Sequence, residues 1–108
     1  MSIGTRTETD LERRKASAVS MTMIAVRRLA EIGVSAKVIG SLSAGRFKEH
    51  SDIDLLITDC PRHLKYRIEG IVEDCLPGFG FDVVYLDEIP SHRLHRFLEN
   101  VTDASDLR

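Results

Sequence analysis

Residues 38–59 read VIGSLSAGRFKEHSDIDLLITD, and the fold turns on the second half of this stretch. Ile53 to Thr58 is an apolar, partly β-branched run, the composition of a strand buried on both faces in the middle of a sheet. Side chains two apart on a strand share a face. Asp52 and Asp54 therefore stand together at the head of the strand, while Ile53 between them points into the core. Such a pair is unfavourable: two unit charges ~4 Å apart cost about 4 kcal/mol at an effective dielectric of ~20, a sizeable part of a small domain's stability. Its presence requires something positive between the carboxylates.

Upstream of the pair, Ala36 to Ile39 reads as a short first strand, Gly40-Ser41 as a turn, and Ser43 to Phe47 as a brief helical piece. Leu11, Val19, Met23, Val26, Leu29 and Ile32 keep helical spacing through a long amphipathic helix, which Thr9 and Glu12 open with capping-box spacing and Gly33 closes. Downstream, Asp59 and Pro61 predict a helix start, with the helix running to about Leu76 before Pro77, Gly78 and Gly80 break it. Phe81 to Leu86 is the third strand, placing Asp82 on the face opposite Phe81, Val83 and Tyr85. Pro90 and Ser91 open a last short helix through about Leu98, and the termini, residues 1–8 and 100–108, are expected to fray. The alternation predicts an α/β fold: a single domain over residues 1–108, with a small mixed sheet of about three strands flanked by helices.

Composition narrows the classes of function. The 108 residues, 43% of them hydrophobic, suffice for one modest core and no second domain. A formal charge of −2 with 30% charged residues describes a mixed surface, so no direct nucleic-acid partner is expected. Cys60 and Cys75 lack C-x-x-C spacing and read as reduced thiols. No apolar run approaches the ~20 residues a membrane span needs, and the N-terminal MSIGTRTETDLERRK has no signal-peptide core, so a cytoplasmic protein with no membrane partner is expected.

If the second and third strands are neighbours, Asp82 joins the aspartate pair. Three clustered carboxylates either take up a proton or bind a divalent cation. All-oxygen ligation favours hard Mg2+ or Mn2+, and Mg2+ is usually held by one or two carboxylates plus substrate phosphates. An EF-hand does not fit, because the segment after Asp52 lacks the loop glycine and the regularly spaced oxygen ligands. The bland alternative makes Ser51-Asp52 a cap and Asp82 a solvated strand residue. Against it stands the wider spacing: Gly40-Ser41, ten residues, then Asp-x-Asp arises by chance on the order of once per thousand chains of this length. His92 and His95 have a spacing that a transition metal can use, but no third ligand is in view. With Arg93 and Arg96 they form a basic helix surface, suited to docking or simply solvated.

Gly40-Ser41, Gly45 and Ser51-Asp52-Ile53-Asp54-Leu55 resemble the G-S-x(10)-D-x-D signature of nucleotidyltransferases in the DNA polymerase β superfamily, and GFDVVYLDEIP resembles their third-carboxylate strand. The resemblance covers most of the chain and is closest to the minimal nucleotidyltransferases (MNT) that pair with HEPN toxins in toxin-antitoxin systems. It implies a transferase moving AMP from ATP, or the monophosphate of another NTP, to a hydroxyl of a partner protein, the cognate HEPN-type toxin. It also implies two Mg2+ ions, with Mn2+ as a substitute, held by Asp52, Asp54 and Asp82 as the catalytic carboxylates. Gly40, Ser41, Gly45, Arg46, Lys48 and Ser51 would bind the nucleotide: Gly40 by letting the backbone approach the triphosphate, Ser41 by donating to its β and γ groups. Ala44 stands where many relatives carry an arginine. The alternative is a non-catalytic antitoxin or nucleotide-binding regulatory module that acts by direct partner binding.

Overall fold

A computed structural model describes the backbone of residues 3–108 and the side chains from Asp10 onward. The middle strand of its sheet is β2 (Ile53–Asp59), in which Ile53, Leu55 and Leu56 are fully buried. Burial on both faces is what the unbroken apolar run predicts. On one side β2 pairs antiparallel with β1 (Ser35–Ile39), which sets Val38 opposite Leu55 and Ile39 opposite Asp54. On the other it pairs parallel with β3 (Phe81–Tyr85), which sets Asp54 beside Asp82 and Leu55 beside Val83. The result is the expected mixed α/β domain with a three-stranded sheet flanked by helices.

The long helix α1 (Ile3–Glu31) packs along β1 and α3 (Ile68–Cys75). It begins well before Thr9, so the Thr9–Glu12 pair does not open it; the Thr9 side chain itself lies outside the described residues. The centre of its buried face is Ala18, Thr22, Ala25 and Leu29, at the i, i+4, i+7, i+11 spacing of one helix face. Val19, Met23, Val26 and Ile32 flank that row, partly buried. Small residues at the centre let the helix backbone approach its neighbours, a signal that a search for large apolar residues passes over. As expected, Gly33 ends the helix: it takes a left-handed φ of 87°, and the Val34 N–H returns to the Leu29 carbonyl at 2.9 Å.

Within that face the Thr22 hydroxyl is buried and has no hydrogen-bond partner. Burying an unpaired hydroxyl is unfavourable, and valine has nearly the same shape without it. Thr22→Val is therefore expected to raise stability by about 1 kcal/mol, read as a higher urea midpoint with an unchanged slope.

Three further elements depart from the sequence expectation. The helical piece after β1 is α2 (Gly40–Ala44), not Ser43 to Phe47, because Gly40 and Gly45, both at φ 75°, bracket it in left-handed geometry. Residues 59–76 do not form one helix: a 3-10 segment, Arg62–Arg67, precedes α3. Of its six residues only Leu64 packs on the core, which leaves no apolar stripe to hold 3.6-residue turns there. A 3-10 turn at Ser91–Arg93 likewise precedes the last helix, α4 (Leu94–Leu98).

The C-terminal residues 100–108, expected to fray, are instead tied down. Thr102 and Val38 exchange backbone hydrogen bonds of 2.8 and 2.9 Å along the outer edge of β1. Ser43 donates to the Asn100 carbonyl and lies 2.7 Å from the Thr102 hydroxyl, Lys37 pairs with Asp103, and Ala104 is buried. No periodic pattern announces this arrangement; it depends on a backbone edge being available. Cys75 is buried and Cys60 half-buried, both as free thiols. Among the described residues no helix is long and apolar enough to cross a membrane.

Candidate functional site

The sheet register brings the three predicted aspartates to one end of β2 and β3. Asp52 immediately precedes β2, and the Ile53 N–H donates to the Gly80 carbonyl at 2.9 Å, so pairing with the segment before β3 begins between the two acidic residues. Asp54 and Asp82 are direct partners on parallel neighbours, and their side chains share a face. Ile53 is fully buried on the opposite side. Asp52 and Asp82 are exposed, whereas Asp54 is half-buried between the flanking strands.

Two glycines make room for the pair. A Cβ on Gly40 would stand 3.0 Å from Cγ of Asp54, and one on Gly80 would stand 3.2 Å from Cγ of Asp52. Each carboxyl thus rests on bare backbone. Gly40 stands out in the sequence, whereas Gly80 reads there only as a helix breaker, since its role depends on two chain segments meeting.

The electrostatics follow from this packing. Burial, then the Asp82 charge, then the Asp52 charge push the Asp54 carboxyl up from the ordinary 3.8 to about 6. Between those values the folded chain holds a proton that the unfolded chain has released, so stability falls as pH rises through that window. Urea midpoints without divalent ions are therefore expected to be higher near pH 4 than near pH 7, with the Asp54 contribution given by the wild-type profile minus that of Asp54→Asn. Millimolar Mg2+ is expected to narrow the gap by neutralising the ionised cluster.

The donor set is all oxygen and suits a hard dication bound through one or two carboxylates, with phosphate and water completing its shell. It is not a finished cage: among the described residues no three His, Cys, Asp or Glu side chains converge to hold a metal ion.

The remaining predicted residues lie on the chain between β1 and β2. Ser41 is in the first turn of α2, and its carbonyl accepts the Arg46 N–H at 2.8 Å. Gly45 caps α2 in open space, and Arg46 and Lys48 are exposed. The Ser51 hydroxyl oxygen accepts the Lys48 N–H at 2.8 Å, and the Ser51 N–H donates to the Lys48 carbonyl at 3.1 Å. Ser51 thereby closes the turn that delivers Asp52. His92 and His95 are exposed and have no third metal ligand among the described residues.

Arg14 of α1 has no motif in the sequence to mark it. Its Nε–H donates to the Glu49 carbonyl at 2.9 Å, a terminal nitrogen donates to the Gly78 carbonyl at 3.3 Å, and its guanidinium stacks 4.3 Å from the Phe79 ring centre. Phe79 in turn packs on Phe47, with ring centres 6.2 Å apart. A cavity of about 360 Å3 lined by Thr58, Cys60, Arg62, Lys65, Tyr85 and Asp87 lies at the other end of β2 and β3, and the three aspartates do not line it. No family model and no curated protein matches the chain.

Proposed function

We propose that this protein is a Mg2+-dependent nucleotidyltransferase of the minimal type, which moves AMP from ATP to a hydroxyl of a partner protein and serves as the antitoxin of a HEPN/MNT pair. The observation that carries this reading is the register that sets Asp54 beside Asp82, with Asp52 two residues upstream and both members of the Asp-x-Asp pair resting on glycine backbone. Asp52 and Asp54 would hold two dications jointly, and Asp82 would share one of them. Bound there, the ions supply positive charge against the triphosphate and the acceptor oxygen. Gly40 gives the phosphates access to bare backbone, Ser41 donates its hydroxyl to the β and γ groups, and the exposed Arg46 and Lys48 offset phosphate charge. Asp82 orients the acceptor hydroxyl and takes its proton. A bond forms from the acceptor oxygen to the α-phosphorus, the bond from that phosphorus to the bridging oxygen breaks, and pyrophosphate leaves. Exposure of Asp52 and Asp82 leaves room for an acceptor carried on another protein's surface, a toxin tyrosine in this reading.

A second reading, partner binding without catalysis, is favoured by Ala44. The two separate when the protein is incubated with α-labelled ATP, Mg2+ and the product of the neighbouring gene. Label on that partner, lost in Asp54→Asn, is the expected result. Label that persists in the variant would show the site to be elsewhere, and equal neutralisation of the partner without nucleotide would favour plain binding.

A further inference from the structure

We propose that Arg14 is a positioning residue for the aspartate cluster, a role that rests on the transferase reading for its purpose and on the loop contacts for its mechanism. The two segments that deliver the acidic side chains, residues 45–52 and 77–80, have little regular structure of their own. Each is anchored at its inner end, through the Phe47–Phe79 contact and the hydrogen bond from Ile53 to Gly80. Arg14 joins their outer ends. One planar guanidinium donates to the Glu49 carbonyl and to the Gly78 carbonyl while lying over Phe79, so both loops are referred to the rigid frame of α1. Glu49 is three residues from Asp52, and Gly78 is two residues from Gly80, whose backbone supports the Asp52 carboxyl. If the two loops separate, Asp52 loses its support and its fixed offset from Asp54 and Asp82. Lysine at this position keeps the charge and can stack on Phe79, but it has no fork with which to span two carbonyls.

The test compares the full-length chain with Arg14→Lys and Arg14→Met, using Mn2+ binding followed by electron paramagnetic resonance with ATP present, amide exchange over residues 48–52 and 77–80, and label transfer across a Mg2+ series. In Arg14→Lys we expect cooperative unfolding as in the wild type, faster exchange in both loops, and Mn2+ affinity lower by about 10- to 100-fold, the usual effect of removing a support behind metal ligands. Label transfer is expected to fall by the same factor at limiting Mg2+ and to recover at saturating Mg2+, a split that a general loss of stability does not produce. Arg14→Met, which retains only the aliphatic stem, should show the same pattern with larger losses. Unchanged Mn2+ affinity and unchanged loop exchange in Arg14→Lys would overturn the role of Arg14 whatever the transfer assay gives. A wild-type protein that binds Mn2+ but transfers no label would remove the transferase reading and leave Arg14 as the support of a cation site, whereas no Mn2+ uptake at all would overturn both.

Discussion

Asp54→Asn is expected to lower label transfer by about a thousandfold or more, the several kcal/mol that a bound dication contributes to such a reaction, and at the same time to make the metal-free protein more stable. Asparagine keeps the size of the side chain and can remain beside Gly40, so the substitution removes charge with little change of packing. At neutral pH the ionised Asp54 is an unfavourable group, raised to about 6 by burial and by the Asp82 and Asp52 charges. Removing it should raise stability by about 1 kcal/mol once solvent screening of the half-exposed carboxyl is allowed for. The gain should disappear near pH 4, where the wild-type carboxyl is protonated. A variant that is inactive and less stable at pH 7 would mean that Asp54 is a structural residue. Opposite signs on activity and stability are what a site built from repelling carboxylates requires.

The second large effect is expected at Gly40. Alanine there must adopt a left-handed φ of 75° and bring its methyl 3.0 Å from Cγ of Asp54. The backbone term alone costs about 1–2 kcal/mol, and the contact then moves either Asp54 or the start of α2. Gly40→Ala is expected to lose about 2 kcal/mol or more in urea unfolding and to lower label transfer by at least about a hundredfold, since a displacement near 1 Å is enough for that. Gly33→Ala is the matched control. Its φ is 87°, but its nearest neighbour, Pro61, would be 3.9 Å away, so it should carry the backbone cost and leave transfer intact. Equal losses of transfer in the two variants would show that the proximity of Gly40 to Asp54 is irrelevant to the site.

Much of this layout is legible in the chain because its signals are local. Ile53 to Thr58 could be assigned as a central strand from its apolar run, and the face shared by Asp52 and Asp54 follows from strand period alone. The place of Asp82 beside Asp54 needed only the assumption that the second and third strands are neighbours, which the register bears out. Features made by two distant segments were not legible. Gly80 under Asp52, Arg14 across Glu49 and Gly78, and Thr102 on Val38 join residues far apart in sequence, and none carries a periodic or motif signal. The extent of α2 is hidden for another reason: the left-handed φ of Gly40 at its first residue and of Gly45 at its cap is a backbone property that a turn-like Gly-Ser pair does not display.

The return of the chain to β1 at Thr102 also bears on solubility. An unpaired strand margin offers a template on which a second molecule can add its own strand, and proteins commonly shield such margins. Here the shield is a short segment whose backbone meets β1 at Val38, so a chain cut after Glu99 would leave that margin open to self-association, right beside the turn that leads into Gly40.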